Sequence, residues 1–242
     1  MAINNQLAPQ QRQTQRSGIV EFTVGNDTVK LSPQIIRTYL TNGKGNVTDQ
    51  EISYFIHLCK AQQLNPFIKE AHLIKYSDSS PATIVVGKDA FLKRAESSPD
   101  FDGMEAGIIV LSEQGFEYRK GALVVDGENI IGGWAKVYRK GRSIPTECEV
   151  SFSEYAGRKG DGSLNSQWAT KPATMIRKVA MVHALREAFP TTFSQMYTAE
   201  ETNVDIPLDE TPIEQPKVEL KPSQRVPVQP QVNQPTEELS LI

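Results

Sequence analysis

Residues 170–190 read TKPATMIRKVAMVHALREAFP and close the stretch 153–190 that the other segments serve. Pro172 fits a first helical turn, where its missing N–H leaves no bond unmade, and Thr170 stands where an N-cap is expected. At 100° per residue, Lys171 and Lys178 lie almost above one another, with Thr174 and Met175 beside them. Ile176, Val179, Ala180 and His183 gather on another side, which is the expected buried face. A helix N-terminus carries unpaired N–H groups and partial positive charge, and two lysines at that end suit a phosphate. The competing reading is an ordinary solvated basic face. Residues 153–169, SEYAGRKGDGSLNSQWA, feed into the helix start and add a basic glycine-rich loop with Arg158 and Lys159 and an indole, Trp168. Cations interleaved with an aromatic favour a single-stranded nucleic acid.

Upstream, residues 101–152 are β-rich, with strands expected over 107–111, 116–125, 129–138 and 144–152. Turn residues fall at 113–115, 126–128 and 140–142. An antiparallel meander followed by a helix gives an α+β class. Further upstream, 20–31 alternates around Gly25-Asn26 as a hairpin, and Ser32-Pro33 opens a helix with Ile35, Ile36, Tyr39 and Leu40 inward, ended by Gly43 and Gly45. Thr48 and Glu51 have capping-box spacing for a helix burying Ile52, Phe55, Ile56 and Cys59, and Asn65-Pro66-Phe67 makes a turn. Strands are expected at 71–76 and 82–87. A short helix at 88–97 should carry Lys93 and Arg94 on a solvated face, and another short helix is expected over 192–199. Three segments follow: a disordered arm at 1–17, a core at 18–200, and a proline-rich tail at 201–242 whose last residues, 237–242, suit a short docking motif.

The net charge of −3 over 242 residues hides a segregation. Nine acids and three bases follow from Glu200 onward, a balance of −6, whereas ten bases and four acids between Lys136 and Arg186 give +6. A basic centre with an acidic tail is common among nucleic-acid binders and compatible with ordinary globular proteins. Cys59 and Cys148 lie far apart, and His57, His72 and His183 have no metal-ligand spacing, so no zinc site is expected. No stretch is apolar enough for a leader or a span, and the expected location is the cytoplasm.

Catalytic signatures are missing. Gly43-Lys44 is followed by Gly and Gly87-Lys88 by Asp, so neither completes a P-loop. No Asp or Glu before residue 200 has a lysine two positions on, as many metal-dependent nucleases do. Asp100 and Asp102, flanked by Pro99 and Gly103, read as a turn. No enzyme and no cofactor are expected.

Several blocks then resemble one family in order. Leu64-Asn65-Pro66-Phe67 with Glu70-Ala71 and Lys75-Tyr76, then Gly87-Lys88-Asp89-Ala90-Phe91 and Phe101-Asp102-Gly103, resemble the RecT/Red beta recombinases. So do Gln167-Trp168, Lys171 with Met175 and Lys178, and the run from Ala184 to Pro190. The resemblance covers about residues 30–200 and implies a phage or prophage single-strand annealing protein. Its α+β core would be distantly similar to the eukaryotic annealing mediators. Such a protein needs no ATP, coats single-stranded DNA, pairs it with its complement and holds the annealed duplex. It assembles as a ring or helical filament, beside a 5′→3′ exonuclease and the host single-strand-binding protein, with no membrane partner. DNA contacts are expected at Asn65, Lys69, Lys75, Tyr76, Lys88, Gln167, Trp168, Thr170, Lys171, Thr174, Met175 and Lys178, with Asn65 and Gln167 carried over from the family's motif. Lys171 and Lys178 with the Thr170 and Thr174 hydroxyls would grip phosphates along the helix, and Lys69, Lys75 and Lys88 would line the facing wall. Asn65 and Gln167 would offer amides, and Met175 or Trp168 a wedge against the bases. Trp168 also reads as a core anchor for its loop, and the 158–162 loop as either a flap over DNA or a surface turn. A passive single-strand coat, a metal-dependent nuclease and a scaffold with a basic face are the rival readings. Contacts between protomers are expected from residues 20–63.

Overall fold

The computed structural model describes residues 18–202. The arm at 1–17 and residues 203–242, including the expected docking motif, lie outside the described residues. The fold is α+β, with three small sheets and a central helix.

The hairpin forms as expected: β1 (Val20–Val24) and β2 (Asp27–Leu31) pair antiparallel, turned by Gly25 at φ +60°. Phe22, Val24, Val29 and Leu31 point inward from alternate positions. Ser32 caps α1 (Pro33–Ile35), which widens into a π-helical turn over Ile36–Leu40. Tyr39 faces solvent instead of the core, because the wider turn rotates it away from Ile36 and Leu40. The chain then forms a short strand that the sequence reading missed, β3 (Thr41–Asn42), parallel to β4 (Ala71–Ile74), which pairs antiparallel with β5 (Thr83–Val86). Gly43 sits at φ +100° against the carbonyl of Lys75, where any Cβ would be 2.2 Å from that oxygen. Close approach to the neighbouring strand, more than helix termination, is what demands this glycine.

Between β3 and β4 runs α2 (Asp49–Ala61), started by a full Thr48/Glu51 capping box and burying Ile52, Phe55, Ile56 and Cys59. After β5 comes α3 (Lys88–Glu96). Lys93 pairs with Glu70 at 2.7 Å, and Arg94 reaches the Thr192 carbonyl at 3.1 Å. Arg94 is therefore a brace between α3 and the chain after residue 190, not part of a solvated face.

The largest sheet contains β6 (Phe101–Ser112), β7 (Gly115–Lys120), β8 (Asn129–Arg139) and β9 (Thr146–Ser151), all paired antiparallel in the order β7-β6-β8-β9. This corrects the simple meander. β8 does not pair with β7 but returns to the far side of β6, so the link at 121–128 is a crossover. Glu128 ties it down by accepting from the Arg119 guanidinium and, at 2.9 Å, from the Val125 N–H.

Two short helices, α4 (Phe152–Tyr155) and α5 (Ser166–Thr170), lead into α6 (Pro172–Ala188). Ala173, Met175, Ile176, Val179, Ala180, Met181, Val182, Ala184, Leu185 and Ala188 are all buried, so α6 is enclosed on most sides. It packs on β8, β9 and β6, and the Ile176 carbonyl comes so close to Gly133 that a Cβ there would stand 2.6 Å away. Arg177 Nε donates to the Ala106 carbonyl at 3.2 Å and fixes the helix to β6. No helix forms over 192–199: the chain makes turns, with Gln195 at φ +62°, and then runs beside β5, where the Tyr197 carbonyl accepts from Val86 N at 2.7 Å. No helix among the described residues is long and apolar enough to cross a membrane.

Candidate nucleic-acid interface

The first wall is the start of α6. Lys171 occupies the N-cap position, is exposed, and caps with no side-chain bond. Thr170 is not the cap: it ends α5, and its hydroxyl donates to the Ser166 carbonyl at 2.8 Å. Thr174 is exposed and Gln167 half-buried. The loop before α5 is a hydrogen-bonded turn, with Lys159 N donating to Ser163 O at 2.8 Å and Arg158 to Gly162 O at 2.9 Å. The Arg158 and Lys159 side chains remain exposed.

Four of the expected contact residues point into the protein. Trp168 is 2 % exposed and meets Phe152 edge-on at 5.4 Å, so it anchors the loop to the core. Met175 is buried beneath α6. Asn65 is buried, its Oδ1 accepting from Phe67 N at 3.0 Å and its own N–H donating to Glu70 at 2.7 Å. Lys75 is 3 % exposed and lies 2.8 Å from Glu51. Glu51 also accepts from Thr48 N and Ala82 N, both at 2.8 Å, so one carboxylate joins α2, β4 and the entry to β5. The Lys75 ammonium holds the Glu51 carboxyl down to about 2. The resemblance carried over residue types; burial reassigns these four to the scaffold.

The second wall starts at the Asn65 turn. Lys69 follows it at φ +65°, and the adjoining Ile68 is exposed. The Gly87 N–H donates to the Glu70 carbonyl, so the start of α3 with half-exposed Lys88 stands beside Lys69. Lys88 has a loose partner, Asp89, at 3.3 Å. Tyr76 is exposed beyond the end of β4. His72 links the two walls. Burial, then the charge of Lys69 and further that of Lys178 on α6, push its imidazole down to about 4. Lys69, a near neighbour in the chain, and Lys178, more than a hundred residues on, therefore both act on His72.

Residues 196–201 run between these walls and were not singled out by the sequence reading. Ala199 packs on Ile74 and Val85. Glu200 is buried, 2.5 Å from the Lys178 ammonium, and its second oxygen has no hydrogen-bond partner among the described residues. Glu201 accepts from Arg186, lies 3.3 Å from His183, and takes the Thr198 N–H at 2.8 Å. The Thr198-x-x-Glu201 spacing is that of the Thr48/Glu51 box and offered a signal that was legible beforehand. Packing continues at least through Thr202, whose hydroxyl donates to Thr198 O at 3.2 Å. Among the described residues no group of three His, Cys, Asp or Glu could hold a metal ion.

This α+β scaffold, built on a central helix, sets Lys69 beside the Asn65 turn and Lys178 on α6 close enough for both to act on His72. A family model described as the RecT family matches residues 26–217, and the chain belongs to that family. Over 142 residues it is 29 % identical to "Uncharacterized protein UU154" of Ureaplasma parvum serovar 3, covering 56 % of this chain and 52 % of that protein. The chain thus spans about half the length of the curated relative it matches.

Proposed function

We propose that this chain is an ATP-independent protein that binds single-stranded DNA and anneals complementary strands in homologous recombination. The carrying observation is the RecT family match over residues 26–217, beside which the exposed Lys171 at the start of α6 and the half-buried Lys178 further along that helix supply cations suited to phosphates. An annealing protein must hold the backbone and leave base edges free. Phosphate contacts do this, giving affinity without reading sequence. Lys171, Thr174 and Lys178 form one wall of the proposed groove and Lys69 and Lys88 the other, with Gln167, Thr170 and Tyr76 at its margins. Asn65, Lys75, Trp168 and Met175 hold the elements that present them. The proposed assembly is a ring or filament, in which neighbouring protomers keep weak pairings together through effective concentration. A 5′→3′ exonuclease and a host single-strand-binding protein are the proposed partners.

The test adds two complementary oligonucleotides one after the other, without nucleotide or metal, and follows pairing and retention of the product by electrophoresis. Fast pairing with a stable protein–duplex complex is expected. Binding of the first strand without faster pairing would leave only a passive coat, and metal-dependent scission would make the chain a nuclease. No binding of either strand at low salt would refute the reading.

A further inference from the structure

Tyr197 stands out from the chain around it. Met196, Thr198, Ala199 and Glu200 are 0 %, 2 %, 3 % and 8 % exposed, whereas Tyr197 is 48 % exposed. Its backbone is fixed on β5 by the bond from Val86 N. Its ring lies over the Arg186 guanidinium at 5.0 Å, and Arg186 is itself held by Glu201 and by the Met196 carbonyl at 3.0 Å. The ring is thus presented to solvent on a rigid mount, with a cation against it. A single solvent-facing aromatic is unremarkable by itself, but the surroundings of this one are specific. Its carbonyl is bonded to the residue just before Gly87-Lys88, and three residues later Glu200 meets Lys178. Tyr197 therefore sits on the segment that joins the two lysine walls.

We propose that Tyr197 is the base-stacking platform of the groove, taking one nucleobase of a single DNA strand on its open side while lysines on either hand take phosphates. This deepens the single-strand-binding reading and depends on it. With Trp168 and Met175 buried, neither expected wedge can reach a base, and besides Tyr76 at the margin it is Tyr197 that offers the groove an open aromatic face. A flat ring orders a base without engaging its hydrogen-bonding edge, which leaves that edge open to a complementary strand. Any base has a π-face, so the contact is sequence-tolerant, as annealing requires.

The experiment titrates the full chain with fluorescently labelled oligo-dT and with an abasic oligonucleotide of equal length, at several salt concentrations. For Tyr197→Leu, whose side chain still covers Arg186, affinity for oligo-dT should fall roughly 5- to 150-fold, the worth of one base–aromatic stack. Affinity for the abasic strand and the salt slope should stay at wild-type values, because no phosphate contact is lost. Tyr197→Phe should bind as wild type. Equal losses on both strands, or no loss on oligo-dT, would overturn the proposal while leaving single-strand binding standing. If the wild-type chain binds neither strand, the underlying reading falls as well. A photo-crosslink from 5-iodouracil oligonucleotide to the wild-type protein keeps the test independent of variant folding. Crosslinking at Tyr197 supports the platform, and crosslinking only at other peptides overturns it.

Discussion

Replacing Glu51 with Gln tests whether Lys75 belongs to the scaffold or to the groove. Lys75 is 3 % exposed and its ammonium has both Glu51 oxygens within 2.9 Å. The Gln side chain keeps one carbonyl oxygen for Thr48 N or Ala82 N but leaves a desolvated ammonium without a counter-charge. Removing one partner of a buried pair costs about 3–5 kcal/mol. For a domain of this size that corresponds to a melting temperature lower by roughly 6–20 °C. Lys75→Met removes the buried charge and leaves Glu51, which still has its backbone donors, so a smaller loss of about 1–2 kcal/mol is expected. The double variant should recover most of what Glu51→Gln loses, since the two residues act as a unit. The assay is thermal and urea unfolding of all three variants, with single-strand binding measured against salt well below each melting point. Scaffold residues should leave the salt slope unchanged. If Lys75→Met kept the wild-type melting temperature but lowered the slope by about one, Lys75 would be a phosphate contact and the argument from burial would be wrong.

Three further outcomes concern the Glu51–Lys75 and Lys178–Glu200 pairs. Glu51 is lowered from 4.5 to about 2 in the folded state, so the unfolded chain binds its proton first as the solution is acidified. The stability it contributes is fully present above about pH 4.5 and is lost as pH falls toward 2. Glu51→Gln should remove that part of the acid sensitivity of the melting temperature, and an unchanged acid profile would contradict it. Lys178→Ala should weaken single-strand binding alike for all sequences and lower the salt slope by about one, whereas Glu200→Gln, which releases Lys178 from its carboxylate, should tighten binding. An unchanged titration for Lys178→Ala would remove this lysine from the groove.

The sequence by itself determined the local elements whose causes are local. The Gly25 hairpin, the Ser32 cap, the Thr48/Glu51 box, the helix after Gly87 and the proline-started α6 follow from side chains acting on backbone within four residues, and all are present. The absence of a P-loop motif was readable in the same way. Tertiary structure decided what depends on partners distant in the chain. Strand β3 exists because β4 lies beside it, and β8 joins β6 on the side away from β7. Lys75 and Lys69 look alike in sequence, but one carries a counter-charge 24 residues upstream and is buried, while the other sits in a left-handed turn at the proposed groove. The expected helix near residue 192 lost to a chain path set by Arg186, Val86 and Lys178. Burial and charge compensation are sums over neighbours that only folding brings together. The sequence thus marked the candidate DNA contacts, and packing decided which of them face outward.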